Sequence, residues 1–144
     1  MKKDLKSLII LFKAQTSVQN SVKKSLEQSG INMNEFVAME ALYTKERLTT
    51  HQLAELILIP NSSLTYVIDI LMEKNYVRRD RCDDDKRILY VSLTSKGKQF
   101  FESVYEKHYS YIRPIFDELS EDEEEKLRIY LKKIGKYAKD RNEK

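Results

Sequence analysis

The sequence predicts a mainly α-helical fold carrying one small β-hairpin wing, and three observations predict it. Apolar residues recur at threes and fours over long stretches without Gly or Pro, which is the period of a half-buried helix. Asn32, Thr49 and Ser120 are each followed three residues later by Glu or Gln, the pattern of a capped helix start. Between the second and third of these boxes lie two β-rich runs, residues 76–79 and 88–93, separated by the charged tip Asp83-Asp84-Asp85-Lys86-Arg87.

The elements follow in order. Residues 2–29 read as one long helix with Leu5, Leu8, Ile9, Phe12, Val18, Val22 and Leu26 on a stripe, and Gly30 as its stop. Asn32 and Glu35 open a second helix carrying Phe36, Met39, Ala41, Leu42 and Tyr43 and ending before Arg47. Thr49 and Gln52 open a short helix running to about residue 58, which Pro60 ends because its ring forbids continuation. Asn61 or a neighbouring Ser caps the next helix, expected to reach about residue 74. Two short helices joined by a tight turn have helix-turn-helix spacing. After the hairpin, residues 93–97 cap a long helix striped with Phe101, Val104, Tyr105, His108, Ile112, Ile115, Phe116 and Leu119, with a kink or looser turn expected at Pro114. Ser120 and Glu123 start the last helix, expected to bury Leu127, Tyr130, Leu131, Ile134 and Tyr137 before a charged tail.

At 144 residues the chain is expected to form one domain able to bury a core without disulfides. Its single cysteine, Cys82, leaves no disulfide framework and suits a reducing compartment. No apolar run approaches the roughly 20 residues that span a bilayer. Residues 8–12 are too short and lack a following cleavage site, so a cytoplasmic location and no membrane partner are expected. Net charge is only +3, but its placement is uneven. Residues 74–98 hold eight Lys or Arg (74, 78, 79, 81, 86, 87, 96, 98) against four Asp, and residues 117–125 hold seven acids and no base. The basic stretch suits a polyanion; the acidic block complements the dipole of the helix it starts.

Enzymatic motifs are absent from the sequence. His51 and His108 fall in different helices with no ligand-spaced partner, so neither a metal site nor a cofactor is expected. Gly30, Gly97 and Gly135 are isolated, which rules out a Gly-rich phosphate loop. Asp83-Asp84-Asp85 lacks the Gly and distal Glu of a calcium loop.

The stretch 61–97 carries the chemistry. Leu64, Val67, Ile68, Leu71 and Asn75 share one face of its helix, and Ser62, Thr65, Tyr66, Asp69 and Glu73 share the other. With Asn61 and Ser63, the small polar N-terminal end can approach base edges and phosphates, while Asp69 and Glu73 confine contact to the first two turns. An ordinary capped surface helix has the same polar face. Hydroxyls discriminate bases weakly compared with Arg on guanine. On the hairpin, Lys86 and Arg87 suit the electronegative minor groove, and Asp85 is expected to pair with Arg79 or Arg81 and stiffen the tip.

Together, Leu64-Thr65-x-x-Ile68-x-x-Leu71, Tyr76-Val77-x-Arg79, Asp85-Lys86-Arg87 and Val91-x-Leu93-Thr94-x-x-Gly97 resemble the signature of the MarR family of bacterial transcriptional regulators. The helix order agrees on both sides, so the resemblance spans essentially the whole chain. It implies a winged helix-turn-helix at about 32–97, flanked by dimerisation helices at about 1–29 and 98–144. It also implies a homodimer on a pseudo-palindromic double-stranded operator, with Asn61, Ser62, Ser63, Thr65, Tyr66, Arg79, Lys86 and Arg87 at the DNA. The family commonly has Asp-Arg-Arg at the tip; Lys86 keeps the charge and loses bidentate geometry. The apolar stripes at both ends exceed what a small winged domain covers, which agrees with a second copy. Many relatives release DNA when a phenolic or other lipophilic ligand enters a pocket, here expected at Phe12, Phe36, Met39, Tyr43, Tyr105, His108 and Tyr109. Such a stripe is also ordinary core. Cys82, beside Arg81, is the candidate for oxidant sensing. The alternative of another class is a winged-helix dimer that binds protein and not DNA.

Overall fold

The computed structural model describes residues 3–57, 59 and 61–143. It divides into two compact units, residues 1–109 and 110–144. The described elements run α1 (Lys6–Leu26), α2 (Met33–Lys45), β1 (Arg47–Thr49), α3 (Thr50–Ile57), α4 (Asn61–Glu73), β2 (Val77–Arg81), β3 (Leu89–Leu93), α5 (Ser95–Phe116) and α6 (Glu121–Asn142). Helix α1 is shorter than the expected 2–29, and α3 starts two residues before Gln52. Leu58 and Pro60, expected to end α3, lie outside the described residues, as does the side chain of Asn61.

The first unit is built from locally coded starts and stops. Asn32 Oδ1 accepts from the Glu35 N–H at 2.8 Å, and Glu35 Oε2 accepts from the Asn32 N–H at 2.8 Å, a reciprocal box that opens α2. Thr49 and Gln52 make the same pair of bonds before α3. Glu35 is buried, and its other oxygen lies 3.4 Å from Lys74 Nζ, which also donates to the Gly30 carbonyl at 3.0 Å. A buried carboxylate is tolerated where it is hydrogen-bonded and paired, as here. Gly30 takes φ +83°, so its lack of Cβ lets the chain leave α1 and turn into α2.

Three antiparallel strands form one sheet in the order β1-β3-β2. Strand β1 has no counterpart among the expected elements: Arg47, Leu48 and Thr49 pair with Ser92, Val91 and Tyr90. Three residues are too few to show a period of two, and Thr49 is legible in sequence only as a cap. Alternation then sorts the sheet: Leu48, Val77, Val91 and Leu93 are buried on the helix side, while Arg47, Arg78 and Ser92 share a cross-strand row on the other. The core joins them to Phe36, Met39 and Leu42 of α2, Leu53 of α3, Leu64, Ile68 and Leu71 of α4, and Phe101 and Val104 of α5.

The junction after α4 locks the hairpin to the helix. Asn75, expected on the apolar face of α4, lies beyond its end at φ +62°. Its N–H donates to the Met72 carbonyl and the Tyr76 N–H donates to the Leu71 carbonyl, each at 2.9 Å, the two bonds of a Schellman stop. Thr94 Oγ1 then donates to the Asn75 carbonyl at 2.6 Å, and the Thr94 N–H to the Tyr76 carbonyl at 3.0 Å. The same Oγ1 accepts from the Gly97 N–H at 3.0 Å and so starts α5. A Cβ on Gly97 would lie 2.0 Å from the Tyr76 carbonyl oxygen. The Tyr76 and Phe100 rings stack at 4.3 Å over this contact.

In the second unit, α5 continues through Pro114 to Phe116 with no earlier break in its helical span. Ser120 and Glu123 form a third reciprocal box and start α6. Arg113 donates to Asp117 at 2.9 Å and to Glu124 at 2.6 Å, and holds the Glu124 carboxyl below its ordinary range. The expected burial of the α6 stripe is corrected: no described residue of α6 is buried in the single chain, Leu127 is half-buried, and Tyr130, Leu131, Ile134 and Tyr137 are exposed, as is Ile129.

Gly97→Ala forces the Tyr76 carbonyl away from α5 and breaks the Thr94 bonds with it. Overpacking plus lost hydrogen bonds is expected to cost about 2–4 kcal/mol, read as a lower urea midpoint with unchanged slope. Gly135→Ala, where a Cβ meets nothing within 4 Å, is the control and is expected to be neutral or stabilising.

Candidate nucleic-acid interface

Helix α4 divides into two faces as its 3.6-residue period requires. Leu64, Val67, Ile68 and Leu71 are buried, and Ser62, Thr65, Tyr66, Asp69 and Glu73 are exposed, with Ser63 half-buried between them. Tyr66 is 67% exposed, a large ring open to solvent. The face therefore combines hydroxyls, one aromatic ring and, further along, two acids.

At the wing tip the carboxylate of Asp85 gathers Arg87 upon itself. Its oxygens accept from Arg87 Nε and Nη2, each at 3.1 Å, and Oδ1 accepts from the Arg87 backbone N–H at 3.0 Å. These charge-assisted bonds hold the Asp85 carboxyl below its ordinary range. The Arg87 side chain is nonetheless 91% exposed, so it is braced and presented together. Arg81 Nη1 donates to the Lys86 carbonyl at 2.8 Å, and the Cys82 N–H donates to the Ile88 carbonyl at 2.9 Å, closing the turn. The expected partners of Asp85 are corrected. Arg79 is paired with Asp69 of α4 at 3.0 Å and Arg81 with a carbonyl, because strand alternation points Arg79 to the helix side of the sheet. Lys86 is exposed, and Cys82 is half-buried and free.

The family model for MarR matches residues 31–89, from the start of α2 to the returning strand of the wing. The HTH-type transcriptional regulator MhqR of Bacillus subtilis is 32% identical over 137 residues, 95% of this chain and 94% of its own. The chain belongs to the MarR family. It is therefore a DNA-binding transcriptional regulator and not an enzyme, as the family and its curated members are.

Solved MarR-family structures agree on the fold. The transcriptional regulator PA4135 is 26% identical with a TM-score of 0.81, covering 94% of this chain and 98% of that one. AbsC from Streptomyces coelicolor gives a TM-score of 0.84 at 23% identity, covering 96% and 99%. A cysteine-to-serine mutant of MarR from E. coli, complexed with operator DNA, gives 0.79 at 22%, covering 92% and 99%.

Of the residues expected to line an effector pocket, five join one aromatic run in the first unit. Tyr43 packs on Phe101 at 4.9 Å, Phe101 on Phe36 at 5.5 Å and on Tyr105 at 5.6 Å, and Phe36 on His108 at 4.5 Å. Tyr105 reaches Tyr109 at 6.2 Å. Phe101, the hub of the run, carries in sequence only the signal of a helix stripe, because two of its neighbours come from another helix. Met39 is fully buried in the core, and Phe12 is 57% exposed on α1. A surface depression of this unit lies elsewhere, lined by Lys23, Leu26, Glu27 and residues 30–35.

His108 Nδ1 lies 3.0 Å from Ser25 Oγ, whose single proton goes to the Val22 carbonyl at 2.7 Å, so Nδ1 is the donor to Oγ. Burial pushes the His108 imidazole below its ordinary value. Because the unfolded chain then binds the proton more readily than the folded one, stability is full above the unfolded pKa of about 6.5 and falls as pH drops from there toward the folded value. Thermal melts between pH 7.5 and 5 are expected to show this loss, and His108→Gln to reduce it.

Proposed function

We propose that the chain is a cytoplasmic, homodimeric repressor that binds a pseudo-palindromic operator and is released by a small lipophilic or phenolic ligand or an oxidant. The observation that carries this reading is Arg87, 91% exposed at the wing tip and braced by Asp85. A braced, projecting guanidinium suits the minor groove, whose narrow electronegative floor rewards charge without a base code. Helix α4 enters the major groove with Asn61, Ser62, Ser63, Thr65 and Tyr66, with Lys86 on the flanking phosphate. The operator complex of E. coli MarR and the DNA-bound reduced AbfR support the docking of this fold on duplex DNA.

Dimerisation is supported by what the single chain leaves uncovered. Leu5, Leu8, Ile9 and Phe12 of the α1 region and Ile129, Tyr130, Ile134 and Tyr137 of α6 are all exposed. Apolar surface of this extent marks an interaction site, and a two-fold copy is the commonest solution. Two α4 helices would then sit roughly 34 Å apart, one turn of DNA. The domain division proposed is a winged helix-turn-helix at about 32–97 between dimerisation helices at about 1–29 and 98–144. Ligand release is supported by the aromatic run from Tyr43 to Tyr109 and by the structure of NadR in complex with 4-hydroxyphenylacetate.

The test is a mobility shift on DNA upstream of the chain's own coding region. Affinity is expected to fall steeply with salt, with a log–log slope of about −0.9 per phosphate neutralised. Arg87→Ala is expected to lower affinity about tenfold or more on most sequences, and Thr65→Ala or Ser62→Ala to change preference among sequences. Unchanged operator affinity for Arg87→Ala at moderate salt rules the wing mechanism out. Titrating phenols, quinones and peroxide into the complex, with Cys82→Ser alongside, separates ligand release from oxidation.

A further inference from the structure

Asp69 stands on the exposed face of α4, the face proposed to meet DNA, where a carboxylate by itself repels phosphate. Its Oδ1 accepts from Arg79 Nη2 at 3.0 Å, across from helix to wing. Arg79 follows buried Val77 on the same side of β2 and sits opposite buried Val91 of β3. Its side chain is 30% exposed, and its Nε is shielded with no hydrogen-bond partner among the described residues. The guanidinium is thus turned toward α4 and spent there, unlike that of Arg87.

This pair lies one residue before the wing leaves its three-stranded support. Strand β1 pairs with β3 only from Tyr90 to Ser92, so the ribbon beyond Asp80 toward the tip has two strands. Two-stranded hairpins are marginally stable alone. Past Arg79, the polar contacts of the described tip residues stay within the hairpin, from Arg81 to the Lys86 carbonyl and from Arg87 to Asp85. We infer that Arg79 is a positioning residue rather than a DNA contact: through Asp69 it latches the wing to the recognition helix, so that α4 and Arg87 reach their two grooves as one rigid unit. The inference rests on the proposed minor-groove role of Arg87 and adds what aims it.

Fluorescence anisotropy of the full-length chain on one operator fragment tests it, using Asp69→Asn, Arg79→Gln, Arg79→Lys and Arg87→Ala singly and in pairs. Asp69→Asn removes a negative charge near DNA, so simple electrostatics makes binding tighter. The latch makes it weaker, by about fivefold, and makes Arg79→Gln weaker to a similar degree, with the double variant no worse than either single because contacting residues are non-additive. Arg79→Lys, which can still pair with Asp69, is expected to retain more affinity than Arg79→Gln. In the Arg87→Ala background, Arg79→Gln is expected to cost little more, since there is no tip contact left to aim. Asp69→Asn binding as tightly as the unaltered chain or tighter, or full additivity of Arg79→Gln with Arg87→Ala, overturns the latch. No loss from Arg87→Ala in the otherwise unaltered chain overturns the wing reading itself, and the latch with it.

Discussion

The approach of Gly97 to the Tyr76 carbonyl is the constraint on which the DNA-reading half of the molecule depends. Helix α4 ends in a Schellman turn that aims two carbonyls, those of Asn75 and Tyr76, at the start of α5. Thr94 takes both, one with its hydroxyl and one with its backbone N–H, and then caps α5 with the same hydroxyl oxygen. The end of the recognition helix, the end of the wing and the beginning of the long helix are therefore one hydrogen-bonded knot. Only a residue without a side chain lets the backbones come this close.

From that knot outward, three charged pairs hold the elements together. Glu35 and Lys74 tie the start of α2 to the far end of α4, with the carboxylate buried and the ammonium half-exposed. Asp69 and Arg79 tie α4 to the wing. Asp85 and Arg87 shape the tip and leave the guanidinium outside. On the proposed DNA-binding reading, affinity comes mainly from charge and shape, and base preference from a few weakly discriminating hydroxyls and one exposed ring.

The helical parts of this fold were legible because their signals are local. Reciprocal boxes at Asn32, Thr49 and Ser120 each appear in the structure with both bonds formed. The buried stripe of α4, and the polar face opposite it, follow from periodicity alone. Other features were illegible for equally physical reasons. Strand β1 is three residues whose only strand signal is a partner some forty residues away. Asp85 has three arginines near it in sequence, Arg79, Arg81 and Arg87, and proximity along the chain does not say which guanidinium the turn swings toward it. Arg79 looks like any wing arginine until the register of β2 against β3 shows which side of the sheet it occupies.

The sequence by itself determined the helical elements, their three capping boxes and the amphipathic division of α4. Those depend on periodicity and on bonds between residues three or four apart, which any reading of the chain can count. Tertiary structure alone decided which charges are paired and which are presented. Pairing depends on sheet register, on a third strand and on the two-carbonyl contact at Thr94 and Gly97, all of which join residues distant in the chain. Arg79 and Arg87 are the same residue type on the same hairpin. One is turned inward to Asp69 and the other outward to solvent because register and turn geometry, not composition, set the direction of a side chain.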